Sequence, residues 1–337
     1  MKFGPVAIGL AEGGILAHSL SLPDKKLAKG WRLSSEDCAA LRAAGLEEVT
    51  VARLEPDDLG EDDAATFLSR ALVPEPGEAG IVLTPAHAGR VNLKSSRNGL
   101  FLVDAARLLH ANAVDPAVTV ATLPPMARVA AGQIVGTVKI ITYGVDRRLL
   151  TEAAAHAAGA ATVRGVKITS ASLVLTETPG LDEKLIRKGR SSIATRIRTL
   201  GIDIKGVKTV PHRQDAVAGA IAEAEGEIIL ILTAAATSDA HDVAPEALRL
   251  AGGTVDRFGM PVDPGNLLFL GRIGGKAVIG LPGCSRSLAL NGADWVLERV
   301  ACGLTPSAHD FAAMGVGGLL KDVPSRGRMR DADEADG

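Results

Sequence analysis

The run Ile228-Ile229-Leu230-Ile231-Leu232 constrains this chain most. Five consecutive leucine or β-branched residues with no polar break read as a strand buried on both faces, because a strand wetted on one side alternates apolar and polar. Around it the sequence predicts strands at 166–175, 203–210, 254–258, 267–270 and 277–281. Helices are predicted at 181–200, 214–224, 243–251 and 286–300. Strands alternating with helices of this length predict βαβ units, hence an α/β domain over 161–305 with a mainly parallel sheet between two helical layers. Ligands of such sheets sit on the loops that leave the carboxyl ends of the strands.

Upstream the pattern is different. With 337 residues there is chain for a second domain. Residues 1–80 read as a small mixed α/β accessory region, in which Ser34 or Ser35 caps a helix through 38–44 and residues 48–54 form a strand. Residues 81–160 read as β-rich with a connecting helix from 147. The segment 321–337 mixes charge with glycine and lacks apolar periodicity, so disorder is expected. The formal net charge of -2 and the 3% aromatic content argue against phosphate-tracking or base-stacking on nucleic acid. Cys38, Cys284 and Cys302 are far apart and form neither a disulfide framework nor a zinc pattern. The first apolar stretch breaks at Glu12, too early for a secretory core, and no run is long enough to span a bilayer. A cytoplasmic protein is expected.

Three loops could carry chemistry. The first, Thr233-Ala234-Ala235-Ala236-Thr237-Ser238-Asp239-Ala240-His241-Asp242, leads from the central strand into a helix. Amides and the helix dipole there favour an anion, and the two carboxylates, Asp239 and Asp242, are what a Mg²⁺ beside it would need; the plainer reading is an ordinary helix start capped by Asp242. The second, Asp263-Pro264-Gly265-Asn266, reads as a tight turn that presents Asn266. The third, Pro282-Gly283-Cys284-Ser285-Arg286, offers a glycine able to take positive φ, a capping serine and an arginine suited to phosphate. Cys284 has no evident base and reads as a packed side chain. His241 reads as exposed rather than as a metal ligand beside Asp239 or Asp242. His87, His110, His156, His212 and His309 show no ligand spacing. Lys184, Arg187, Lys188, Arg190, Arg196 and Arg198 make a basic helix, either a solvated face or a steering surface for an anion.

In this order the loops resemble the molybdopterin-binding domain family of molybdenum cofactor biosynthesis, the molybdopterin adenylyltransferases and molybdotransferases. The family's Thr-Gly-Gly-Thr-like loop and Asp-Val-x-Pro-Glu-Ala are matched by Thr233–Thr237 and by Asp242-Val243-Ala244-Pro245-Glu246-Ala247. Pro264-Gly265-Asn266 and Leu281-Pro282-Gly283 are similar to two further family turns. A weaker likeness over Gly14-Ile15-Leu16-Ala17-His18 and Leu27-Ala28-Lys29-Gly30 extends to the molybdotransferase accessory regions. As a whole the chain looks like the molybdopterin-binding half of bacterial nucleotidyltransferase fusions, without the transferase half.

The resemblance implies molybdopterin as substrate or ligand, Mg²⁺ on Asp242 and Glu177, and Asp242 as the catalytic residue. It implies a binding set of Thr233, Ala234, Ala235, Ala236, Thr237, Ser238, Asp239, Pro264, Gly265, Asn266, Pro282, Gly283, Ser285 and Arg286. The reaction implied is nucleotidyl transfer from ATP or CTP, or molybdate insertion. A non-catalytic carrier or sensor is the alternative, and a nicotinamide-nucleotide hydrolase sharing the domain is another. Homo-oligomers and a separate nucleotidyltransferase or molybdoenzyme partner are also implied. The sequence departs from the family where Ala234-Ala235 replace a glycine pair, where Thr176-Glu177 replace an acidic turn, and where Cys284-Ser285 replace Asn-Pro.

Overall fold

A computed structural model describes residues 1–180, 182–263 and 265–320. The expected disorder of 321–337 and the expected role of Pro264 lie outside the described residues. The chain divides into two compact units, residues 1–165 and 166 onward.

The first unit has two cores. In one, Lys2–Ala7, Glu48–Arg53 and Ile15–Leu16 form a three-stranded sheet that closes over Ile8, Leu27, Leu33 and Leu41. Helix Ser35–Ala43 is started by a reciprocal cap between Ser34 and Asp37. Asp37 also accepts from Lys25 Nζ at 2.5 Å, Trp31 Nε1 at 2.8 Å and Ser34 N at 3.1 Å. The other core lies under helices Glu61–Leu72, Ala105–Val114 and Arg147–Ala157, against a four-stranded and a three-stranded sheet. Strand Ala161–Gly165, read from sequence as the start of the C-terminal domain, pairs with Gly99–Val103 in this first unit. Its pairing partner lies some sixty residues upstream, which no local pattern reveals.

The second unit is an α/β/α sandwich, as the sequence implies. Its elements are β1 (Ser170–Glu177), α1 (Glu183–Thr199), β2 (Asp203–Pro211), α2 (Gln214–Ala222), β3 (Ile228–Leu232), α3 (Val243–Leu250), β4 (Thr254–Met260), β5 (Asn266–Ile273), β6 (Lys276–Leu281), α4 (Gly292–Ala301) and α5 (Ala308–Ala313). The sheet order is β2-β1-β3-β6-β5-β4; β2, β1, β3 and β6 run parallel, and β5 is antiparallel to both of its neighbours. β3 is buried throughout. Ile228, Leu230 and Leu232 pack in a core with Ile193 and Ile197 of α1 and Val296 of α4. Ile229 and Ile231 face the opposite core, with Val217 of α2 and Leu248 of α3. Because β5 runs backwards, its first residue, Asn266, shares the carboxyl edge with the ends of β1, β3, β4 and β6.

The expected helix over 286–300 is shorter. Gly283–Arg286 is a 3₁₀ turn, and α4 begins only at Gly292, after an Asn291–Asp294 capping box. Arg196 of α1 is the reason. It donates to the carbonyls of Ser285 at 3.0 Å, Ser287 at 2.6 Å and Ala289 at 2.9 Å, and its Nε meets Asp294 Oδ1 at 2.7 Å. Carbonyls drawn toward one guanidinium converge on a point instead of aligning along a helix axis. Ser285 caps nothing, and α5 was not foreseen at all.

Two outcomes follow for stability. Asp37 is 3% exposed, and the Lys25 ammonium above all holds its carboxyl well below the usual carboxylate range. Its folded pKa lies under its unfolded one, so the stabilisation is complete above the ordinary carboxylate range and is lost as pH falls through and below it. Asp37→Asn is expected to cost about 1–2 kcal/mol at neutral pH, and the cost should vanish in acid, as read by denaturant unfolding at several pH values. Arg196→Met strips the guanidinium from Asp294 Oδ1 and from three carbonyls, while Asn291 N still donates to Asp294 and Ser192 Oγ to Ser285 O; a loss of about 3 kcal/mol is expected in the same assay.

Candidate functional site

The carboxyl edge of the second unit's sheet gathers the predicted loops. The first leaves β3. Thr233 is buried, and its hydroxyl donates to the Ala235 carbonyl at 2.6 Å, folding the loop back on itself. Thr237, also buried, lies 3.4 Å from Thr233, hydroxyl to hydroxyl. Ala235 and Ala236 are exposed, and neither they nor Ala234 takes a positive φ. Alanine in place of glycine therefore brings no backbone strain here. The Ala234 amide donates to Thr176 Oγ1 at 2.7 Å. Among the described residues the amides of Ala235, Ala236 and Thr237 donate to nothing.

Asp242 ends this loop as the N-cap of α3. One carboxylate oxygen takes the Ser238 amide at 2.8 Å, the other the Val243 amide at 2.6 Å. Ser238 and Asp239 are exposed. Asp239 accepts from the His241 amide at 2.8 Å. His241 is exposed and pairs through Nδ1 with Glu246 at 2.7 Å, and this contact before any other draws Glu246 below the ordinary glutamate range. Glu177 is exposed at the end of β1. Among the described residues no group of three or more His, Cys, Asp or Glu is placed to hold a metal ion.

The second loop turns through Asp263, a non-glycine residue at φ 43°, and Gly265 at φ 85°. Asp263 is held there by Leu320, whose amide donates to its Oδ1 at 2.9 Å, and by its own amide, which donates to Gly318 O at 2.7 Å. Asn266 is 6% exposed, and its Oδ1 accepts from Leu268 N at 3.2 Å. The third loop follows β6. Pro282 is buried. Gly283 opens the 3₁₀ turn without using the positive φ open to it, and a Cβ there would lie 3.4 Å from Arg286 Nη1. Cys284 is exposed rather than packed.

Arg286 joins the third loop to the first. Its Nη2 donates to the Thr233 carbonyl at 2.6 Å. The side chain is half-buried, and burial pulls its pKa down from the ordinary arginine value. It forms no ion pair among the described residues. Helix α1 makes room for it at Gly189, where a Cβ would sit 2.7 Å from Leu232 Cδ2 and 3.6 Å from Arg286 Cγ. Among the described residues, Ser285 Oγ, Asn266 Nδ2 and Asp263 Oδ2 are buried without hydrogen-bond partners. A Cβ on Gly292 would lie 3.0 Å from Asn266 Nδ2, so the second loop touches the segment that follows the third. The basic helix separates into two roles: Arg196 is committed internally, while Lys184, Arg187, Lys188, Arg190 and Arg198 are exposed. The hydrogen-bonding roles of Thr176, His212, Asp263 and Arg196 escaped the sequence reading, because each acts through a partner distant in the chain.

Residues 168–301 match the family model described as a probable molybdopterin binding domain. The C-terminal unit thus carries a molybdopterin-binding domain of molybdenum cofactor biosynthesis. Residues 5–53 match a second model, described as a domain of unknown function. Among solved structures, the chain is similar to the molybdopterin biosynthesis moea protein from Pyrococcus horikosii: 13% identity, 90% of this chain, 76% of that one, TM-score 0.31. A molybdenum cofactor biosynthesis protein B structure matches at 15% identity over 41% of this chain and 96% of that one, TM-score 0.30. A search of curated proteins gave no match. Among the described residues no helix is long and apolar enough to cross a membrane.

Because Asp242 ties Ser238 to the start of α3, Asp242→Ala is expected to cost about 1 kcal/mol. Hydrogen exchange should quicken at the Ser238 and Val243 amides while β3 stays protected; unchanged exchange would contradict this cap.

Proposed function

We propose that the second unit binds molybdopterin, phosphate first, at the carboxyl edge of its sheet, and hands it on within molybdenum cofactor biosynthesis. The observation that carries this reading is Arg286. A half-buried guanidinium without a carboxylate is electrostatically incomplete, and desolvation already works against its charge. Beside it stand the unengaged amides of Ala235, Ala236 and Thr237. A phosphate monoester supplies the missing charge and accepts from both sets of donors. Ser285, Asn266 and Gly265 lie on the adjoining loops, where the pterin would extend, with Pro282 and Gly283 shaping the floor.

Binding without chemistry is the better-supported form. Both oxygens of Asp242 are occupied by amides, and the described residues offer no closed shell for a resident cation. A magnesium ion arriving with ATP or CTP would be part of the substrate, taking most of its ligands from phosphate and water. In the second reading the domain transfers a nucleotidyl group to molybdopterin or inserts molybdate. The half-burial of Asp242 beside the phosphate loop favours it, with Glu177 as the other carboxylate. A carrier would deliver its cargo to a separate nucleotidyltransferase or molybdoenzyme, and self-association belongs to the same proposal.

Arg286→Ala is expected to weaken molybdopterin binding about 10- to 100-fold in anaerobic calorimetry, since it removes charge-assisted hydrogen bonds. Unchanged affinity would remove the phosphate assignment. Incubation with molybdopterin, molybdate and MgATP or MgCTP separates the two readings. Pyrophosphate release, or cofactor formation, abolished by Asp242→Ala would establish the transferase and displace the carrier.

A further inference from the structure

We propose that His212 is a positioning residue for the phosphate loop, acting through the Thr176 hydroxyl; the functional part of this proposal rests on the molybdopterin reading above. Thr176 is 2% exposed near the end of β1. Its oxygen accepts the Ala234 amide at 2.7 Å and lies 3.0 Å from His212 Nδ1. His212 follows β2, and its own amide donates to the Glu177 carbonyl at 2.8 Å, which holds the ring in register with Thr176.

The proton inventory fixes the direction of this chain. A threonine hydroxyl has one proton and two lone pairs. One lone pair takes the Ala234 amide. If Nδ1 also donated, the hydroxyl proton of Thr176 would be buried with no acceptor among the described residues, an arrangement folded proteins avoid. The Thr176 proton therefore goes to Nδ1, so His212 is neutral and carries its own proton on Nε2. This lock stops the hydroxyl from rotating and keeps a lone pair aimed at Ala234. Ala234 directly precedes the three unengaged amides of the loop, so His212 pre-organises those donors without touching the phosphate. Pre-organisation of this kind raises affinity by lowering the ordering cost of binding.

The side-chain oxygen of asparagine sits near the place of Nδ1, whereas glutamine places its terminal nitrogen near Nε2. Ring ¹⁵N NMR of the unliganded protein should show Nδ1 unprotonated; an Nδ1–H tautomer overturns the proposal. In calorimetry with molybdopterin, His212→Leu should bind about tenfold more weakly while the protein stays folded. His212→Asn should recover the affinity and His212→Gln should not. Equal affinity in His212→Leu, or recovery by Gln and not Asn, overturns it in favour of no role or a direct ligand contact. If the unaltered protein binds no molybdopterin, the molybdopterin reading fails separately, and amide exchange at Ala234 decides the lock. Faster exchange in His212→Leu, restored in His212→Asn, upholds it; equal exchange in all three overturns it.

Discussion

Burial of Ile228–Leu232 on both faces is the constraint from which the second unit follows. Each side of that strand needs its own apolar cover, which α1 and α4 supply on one face and α2 and α3 on the other. A strand held between two cores cannot slip by one residue without exchanging Leu230 for Ile229 or Ile231 against shapes built for the other. Its exit at Thr233 is therefore fixed. The loop that follows starts from a rigid point, which a set of backbone donors requires if it is to act together.

Two arginines show how the same side chain serves structure and function. Arg196 meets the Asp294 carboxylate, the Ser192 hydroxyl and three carbonyls, leaving little for a ligand. By fixing the backbone from Ser285 to Ala289 it holds Arg286 in place. Arg286 has one acceptor, the Thr233 carbonyl, and no counter-ion among the described residues. The first arrangement is complete by itself; the second is completed by an anion. The exposed cations of α1 lie between these extremes, able to attract an anion at low salt and contributing little to its final hold.

Features written in contiguous residues were legible in the sequence. The central strand, the α/β alternation, the Asp242 cap and the three loops at one edge all come from local pattern. Features set by distant partners were not. The helix expected from 286 was cut back because Arg196, some ninety residues earlier, takes its first carbonyls. Strand Ala161–Gly165 joined the first unit because its pairing partner is there. Ala234–Ala236 kept ordinary backbone angles, which only the course of the loop could reveal. Thr176 and His212 meet through the register of two parallel strands, β1 and β2. Asp263 sits at positive φ because the chain near Leu320 returns to hold it. In each case a pairing across the fold outweighs what neighbouring residues prefer.

The central claim is that one edge of the second sheet forms a single anion-accepting surface from separate loops. The most direct test is an amide chemical-shift titration of the ¹⁵N-labelled protein with molybdopterin. The account predicts that Ala235, Ala236 and Thr237 move together with Gly283, Ser285 and Arg286, at one common dissociation constant. Shifts confined to one loop, or centred on the opposite edge near Glu227 and Lys276, would contradict it.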